Sequence, residues 1–125
     1  MPVRSLSSSV LKWPSHDTVD RAVREWAIEQ AKKHPDLLQL GYFGSYATKK
    51  WGVGSDLDLV AVIKESSEPF EHRNLSWDTS PLPVPADLLV YTEKEWRSLQ
   101  KKGGRFAATL RRETIWVYNK PGKGE

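Results

Sequence analysis

At 125 residues the chain has room for one domain with a modest core, and not for two. Its composition, 38% hydrophobic and 28% charged, is that of an ordinary globular protein and excludes wholesale disorder. The 19 Lys+Arg against 16 Asp+Glu leave a formal +3, enough for an anionic small molecule but too little for a dedicated nucleic-acid binder. With no cysteine, disulfides and thiolate metal sites are out of reach.

Residues 1–15 are Ser-rich and aperiodic and read as a loosely ordered arm, with Trp13-Pro14 able to pack on the body. From Asp17, a plausible N-cap, the residues Val19, Ala22, Val23, Trp26, Ala27 and Gln30 follow helical spacing. Pro35 ends that helix, because the residue before a proline avoids the α region. Leu37 to Phe43 is an apolar run closed by Gly44, which suits a strand. Gly44 to Ser55 is polar and Gly-interrupted, and Leu57 to Ile63 reads as a core strand.

Residues 64–85 form a long connection with prolines at 69, 81, 83 and 85, a spacing that no helix survives at its end. Ala86 to Tyr91 is another short strand. Thr92 and Glu95 are spaced as a capping box, opening a helix through Trp96 and Leu99 that Gly103-Gly104 breaks. Arg105 to Arg112 suits a short helix, Thr114 to Tyr118 a β-branched and aromatic strand, and 119–125 a frayed tail. The expected architecture is one α/β (α+β) domain over 16–118, a small central sheet with helices on one side. The longest apolar run falls far short of a membrane span, and Met1 to Ser9 lacks the apolar core of a signal peptide, so the expected setting is cytoplasmic.

Three acids stand where acids are disfavoured. Asp56, Asp58 and Asp87 lie at or within the two most hydrophobic strands, where an unpaired buried carboxylate is costly. Strand side chains alternate, so Asp56 and Asp58 share a face. If the strand of Asp87 pairs alongside, three carboxylates converge and repel unless a hard divalent cation, Mg²⁺ above all, sits among them. The bland alternative makes Asp56 a turn residue and Asp87 a cap; the three together favour the cluster. Gly44-Ser45 follows a strand directly, where a glycine lets backbone approach a ligand, turn amides face an anion and a hydroxyl donates to phosphate oxygen. Alone, a Gly-Ser pair is most often just a turn.

Taken together, Gly44-Ser45-x10-Asp56-Leu57-Asp58 followed by Ala86-Asp87-Leu88-Leu89 resembles the minimal nucleotidyltransferases of the DNA polymerase β superfamily, over roughly residues 17–118. The resemblance implies the nucleotidyltransferase fold with a small mixed central sheet flanked by helices, two Mg²⁺ and transfer of a nucleoside monophosphate from a nucleoside triphosphate such as ATP. It places Gly44 and Ser45 on the triphosphate and Asp56 and Asp58 on the metals. By the same resemblance Asp87 would complete the site and help deprotonate the attacking hydroxyl. Where the family often continues with Ala-Arg-Gly, this chain has Ala47, Thr48 and Lys49. Lys49 or Lys50 would replace the arginine as a point charge, unless the pair is merely solvated.

Among the remaining residues, Trp26, Trp96 and Trp116 are expected in the core and Trp51 and Trp77 in loops. Trp51 could stack on a nucleobase, although a structural role is the expected one. The basic residues of 97–112 read as a solvated face, the alternative being a docking surface for an acidic partner or the triphosphate tail, and the three histidines carry no assigned role. The expected activity is AMP transfer from ATP to a hydroxyl of a protein or small molecule. By resemblance, many stand-alone members are antitoxins that adenylylate a small helical toxin partner. The alternatives are an aminoglycoside-type acceptor, which usually requires a second helical domain, and a non-catalytic nucleotide-binding subunit, which has no need of three converging carboxylates.

Overall fold

The computed structural model describes residues 13–121. The elements run α1 (His16–Lys33), β1 (Leu37–Phe43), β2 (Leu57–Ile63), α2 (Phe70–Arg73), a 3₁₀ turn (Asn74–Ser76), β3 (Ala86–Thr92), α3 (Glu93–Lys102), α4 (Arg105–Glu113) and β4 (Ile115–Asn119). The strands form one mixed sheet in the order β3-β2-β1-β4. β1 is antiparallel to both β2 and β4, and β2 is parallel to β3. The strands and longer helices follow the sequence reading to within a residue or two. None of the described helices is long and apolar enough to cross a membrane.

Helix α1 is capped by Ser15, not by the expected Asp17. Ser15 has extended backbone and accepts a hydrogen bond from the Thr18 amide, while Asp17 lies in the first turn, where its charge suits the helix dipole. Val19, Val23, Trp26 and Ala27 bury one face of α1 against Leu40, Tyr42, Leu57, Leu59, Ala61, Leu88 and Val90. The alternate residues of those strands face the other way. There Phe43 meets Phe106, Tyr91 meets Trp96, and Trp96 meets Trp116, so α3 and α4 cover the second face. Val60, Val62, Ala107 and Leu110 are fully buried outside the α1-side cluster. Of the three tryptophans expected in the core, Trp26 is buried there, whereas Trp96 and Trp116 are only half-buried.

The 64–85 connection differs most from expectation. It holds α2 and the 3₁₀ turn, both placed before Pro81. Its length follows from topology, because parallel strands cannot be joined by a tight turn. It is also a core element. Trp77, Leu82 and Val84 are buried, Trp77 stacks on His34 at 3.8 Å, and the Trp26 indole donates to the Asp78 carbonyl at 2.8 Å. Buried Arg73 donates to the carbonyls of Glu68 and Val90 and forms a two-pronged pair with Glu95. Glu95 closes the expected capping box with Thr92, so one carboxylate ties α2, β3 and α3 together. At the other terminus the chain stays tied through Lys120, whose amide donates to Leu38, so fraying does not begin at Asn119. Most of the Ser-rich arm and residues 122–125 fall outside the described residues.

Candidate active site

The sheet register assembles the site. Asp58, second residue of β2, pairs with Asp87 of β3 on one side and with Phe43 of β1 on the other. Directly paired residues present side chains to the same face, so the two carboxylates are neighbours. Asp56 lies just before β2, next to Leu57, whose amide donates to the Pro85 carbonyl at 2.8 Å. Asp58 is half-buried, whereas Asp56 and Asp87 are exposed. Burial first, and then the charges of Asp87 and Asp56, push the Asp58 carboxyl above its ordinary value. Both charges acting on it are carboxylates, so an extra positive charge is what this edge of the sheet lacks.

β1 ends against the same carboxylate. Gly44 takes φ +81°, and a Cβ placed on it would run into the Asp58 carboxylate. The backbone angle favours glycine, and any larger residue would also have to displace the Asp58 carboxylate. From Gly44 the chain makes one helical turn. The Thr48 amide and hydroxyl both donate to the Gly44 carbonyl at 3.0 Å, and the Lys50 amide donates to that of Ser45 at 2.8 Å. Tyr46 anchors this turn in the core. Its hydroxyl accepts from the Trp13 indole at 2.8 Å and donates to the Pro14 carbonyl at 3.2 Å. Trp13-Pro14 thus pack on the body as expected. Trp51 stacks on Tyr46, with ring centroids 5.8 Å apart and planes 4° apart, so its half-buried indole serves the turn.

Gly44, Asp58 and Asp87 therefore come together, with Asp56 acting on Asp58 through its charge and Ser45 opening the turn. Lys49 is exposed within the turn, in a left-handed conformation (φ 61°) unusual for a non-glycine residue. Sequence reasoning missed the aromatic side of the site. Phe43 is the partner of Asp58 across the β1–β2 ladder, and Phe106 contacts it edge-on at 5.9 Å. No local pattern links residues so far apart in the chain.

Among the described residues, no three His, Cys, Asp or Glu side chains form a ready-made metal cage. Mg²⁺ does not require one. It is commonly held by one or two carboxylates, with substrate phosphates and water completing the shell, and this donor set fits that pattern.

The family model described as the nucleotidyltransferase domain matches residues 24–116. The chain belongs to the nucleotidyltransferase family. Gly44, Ser45, Lys49, Asp56, Asp58 and Asp87 all fall within the matched segment. No curated protein matches the chain. Among solved structures, a candidate nucleotidyltransferase from Sulfolobus solfataricus aligns at TM-score 0.61 and 18% identity, covering 84% of each chain. A toxin–antitoxin crystallised with AMP-PNP aligns at TM-score 0.57 and 17% identity, over 78% of this chain and 74% of that one. The toxin–antitoxin MntA–HpeT, in a mutant with two aspartates two positions apart changed to glutamate, aligns at 0.54 and 15% identity, with the same coverage. At these identities the likeness is one of fold: this nucleotidyltransferase shares their mixed sheet and flanking helices.

Proposed function

We propose that the chain transfers AMP from ATP to a hydroxyl group, with Mg²⁺ at the Asp56, Asp58 and Asp87 edge of the sheet. The observation that carries this reading is the half-buried Asp58, held against Gly44 on one side and paired with Asp87 on the other. A carboxylate pushed up by burial and by two like charges is poised to gain from a cation. Bound there, Mg²⁺ would supply positive charge to the oxygens of an in-line phosphoryl displacement.

The chain's own groups do the rest. The turn opening at Gly44-Ser45 receives the triphosphate, with backbone approaching closely where no Cβ intervenes and the Ser45 hydroxyl donating to a phosphate oxygen. Lys49 lends a point charge to the outer phosphates. Asp87, exposed at the edge, takes the proton of the acceptor hydroxyl as its oxygen bonds to the α-phosphorus and pyrophosphate departs. Two neighbours being toxin–antitoxin proteins, one of them with AMP-PNP, supports an adenine nucleotide as donor and a partner protein as acceptor.

The test is transfer of label from α-labelled ATP, in Mg²⁺, to proteins of a cell extract. The native chain labels an acceptor. Asp58→Asn, which keeps the size and loses the charge, labels none while remaining folded. Full labelling by the folded Asp58→Asn chain would overturn the assignment.

A further inference from the structure

We propose that Phe106, propped by Phe43, is the platform on which the nucleotide's base stacks; the inference rests on the nucleotidyl-transfer reading above and names a residue that determines how the donor is held. Phe43 is the direct partner of Asp58 in the β1–β2 ladder, so its ring rises from the sheet beside the carboxylate, on the face that carries Asp87. Phe106 meets that ring edge-on, with centroids 5.9 Å apart and planes at 76°.

Two glycines with positive φ, Gly103 (74°) and Gly104 (101°), turn the chain from α3 into α4 and place Phe106 in the first turn of α4. Ala107 and Leu110 are fully buried and fix that helix to the sheet. Phe106 itself is 42% exposed. The exposed large apolar side chains among the described residues are Ile28, Val53, Phe70, Leu75 and Phe106. Of these, Phe106 is the one in ring contact with a strand partner of Asp58.

An edge-on contact leaves a ring face open, and a planar base covers such a face without needing polar partners. The distance also suits. Paired side chains lie about 5 Å apart, and the ring contact adds a further step, so the platform stands roughly 10 Å from the carboxylates. That is about the reach of a nucleotide whose α-phosphate lies at the carboxylates and whose ribose spans the gap.

Calorimetric titration in Mg²⁺ compares a non-hydrolysable ATP analogue with inorganic tripolyphosphate, which has the phosphates and no base. Phe106→Ala is expected to weaken the analogue about 5- to 100-fold and to leave tripolyphosphate within about twofold. Phe106→Tyr keeps both affinities, and Phe106→Leu, which preserves apolar bulk for packing on Phe43, weakens the analogue as alanine does. Unchanged analogue binding by folded Phe106→Ala or Phe106→Leu overturns the platform, even if transfer to an acceptor then falls. Equal loss of analogue and tripolyphosphate overturns it too, since the ring would then be shaping the phosphate site. Failure of the transfer reading is separable: transfer is read by labelling of an acceptor, and if the site takes no nucleotide at all the native chain itself binds neither probe.

Discussion

Replacing Gly44 by alanine tests whether the end of β1 and the Asp58 carboxylate are in contact, and two costs are expected. The first is conformational: at φ +81° an alanine sits in the left-handed region, which costs an L-residue about 1–2 kcal/mol. The second is steric. The added Cβ would overlap the Asp58 carboxylate and stand 3.3 Å from its Cγ. A short side chain can swing away from such a contact, so the cost is that of an unfavourable rotamer, about 0.5–1.5 kcal/mol. Together the loss is about 1.5–3.5 kcal/mol, or very roughly 10 °C of melting temperature for a domain of this size. Urea unfolding in chelator, with an unchanged slope, measures it. Asp58→Ala provides the control, since it removes the carboxylate and leaves the backbone angle. In that background Gly44→Ala should cost only the conformational part, giving a coupling of about 1 kcal/mol. Equal costs in both backgrounds would refute the contact, and with it the argument that Gly44 positions Asp58.

Three further outcomes follow from the same geometry. In chelator at neutral pH, Asp58→Asn should melt at or above the native chain, because it removes a carboxylate opposed by burial, Asp87 and Asp56. Adding Mg²⁺ with a non-hydrolysable ATP analogue should raise the native melting temperature and not that of the variant; a variant melting well below native in chelator would make Asp58 a structural residue. Lys49→Gly should stabilise the chain by about 1 kcal/mol by relieving φ 61°, and should weaken tripolyphosphate binding in calorimetry; unchanged affinity would remove Lys49 from the phosphate site. Glu95 is held down to about 2, below its ordinary 4.5, foremost by its hydrogen bond with Arg73, so its contribution is complete above pH 4.5 and fades as pH falls toward 2. Glu95→Gln keeps the capping box and loses the charge. Because the Glu95 carboxylate is 42% exposed, the variant should lose only about 1 kcal/mol at neutral pH, and its urea midpoint should converge on the native one below pH 4.5; a constant gap at every pH would refute the role of the charge.

How legible the fold was depended on how local each cause was. The α1 stripe, the four strands and the Thr92–Glu95 capping box are patterns within a few residues, and all appear in the structure. Ser15 and Asp17 are both good caps two positions apart, and only the backbone angles decide between them. The core role of Trp77, Leu82 and Val84 had no period to reveal it, because prolines interleave them and their partners lie across the fold. The same holds at the site. Alternation put Asp56 and Asp58 on one face from sequence alone, and the pairing with Asp87 was the conditional step that the parallel register supplies. The contact of Phe43 with Phe106 depends on how α4 lies on the sheet, which no spacing in the chain encodes.

The placement of strain separates the two ends of the sheet. β2 and β3 begin where β1 ends, and at that edge stand an opposed carboxylate at Asp58, a positive φ at Gly44 and another at Lys49. The opposed carboxylate and the Lys49 angle are unfavourable for the fold by itself, and with Gly44 they fall within a single strand–turn–strand unit. Toward the other end, the interactions favour folding. Arg73 and Glu95 satisfy one another and two carbonyls, and Trp77 lies between His34 and Trp26. A fold selected for stability alone has no reason to place its unfavourable features beside one another. A ligand bearing phosphates and accompanied by a divalent cation would relieve the charge at the Asp58 carboxylate that packs against Gly44. The strain at this edge is therefore itself an argument for nucleotide binding, independent of any likeness to other proteins.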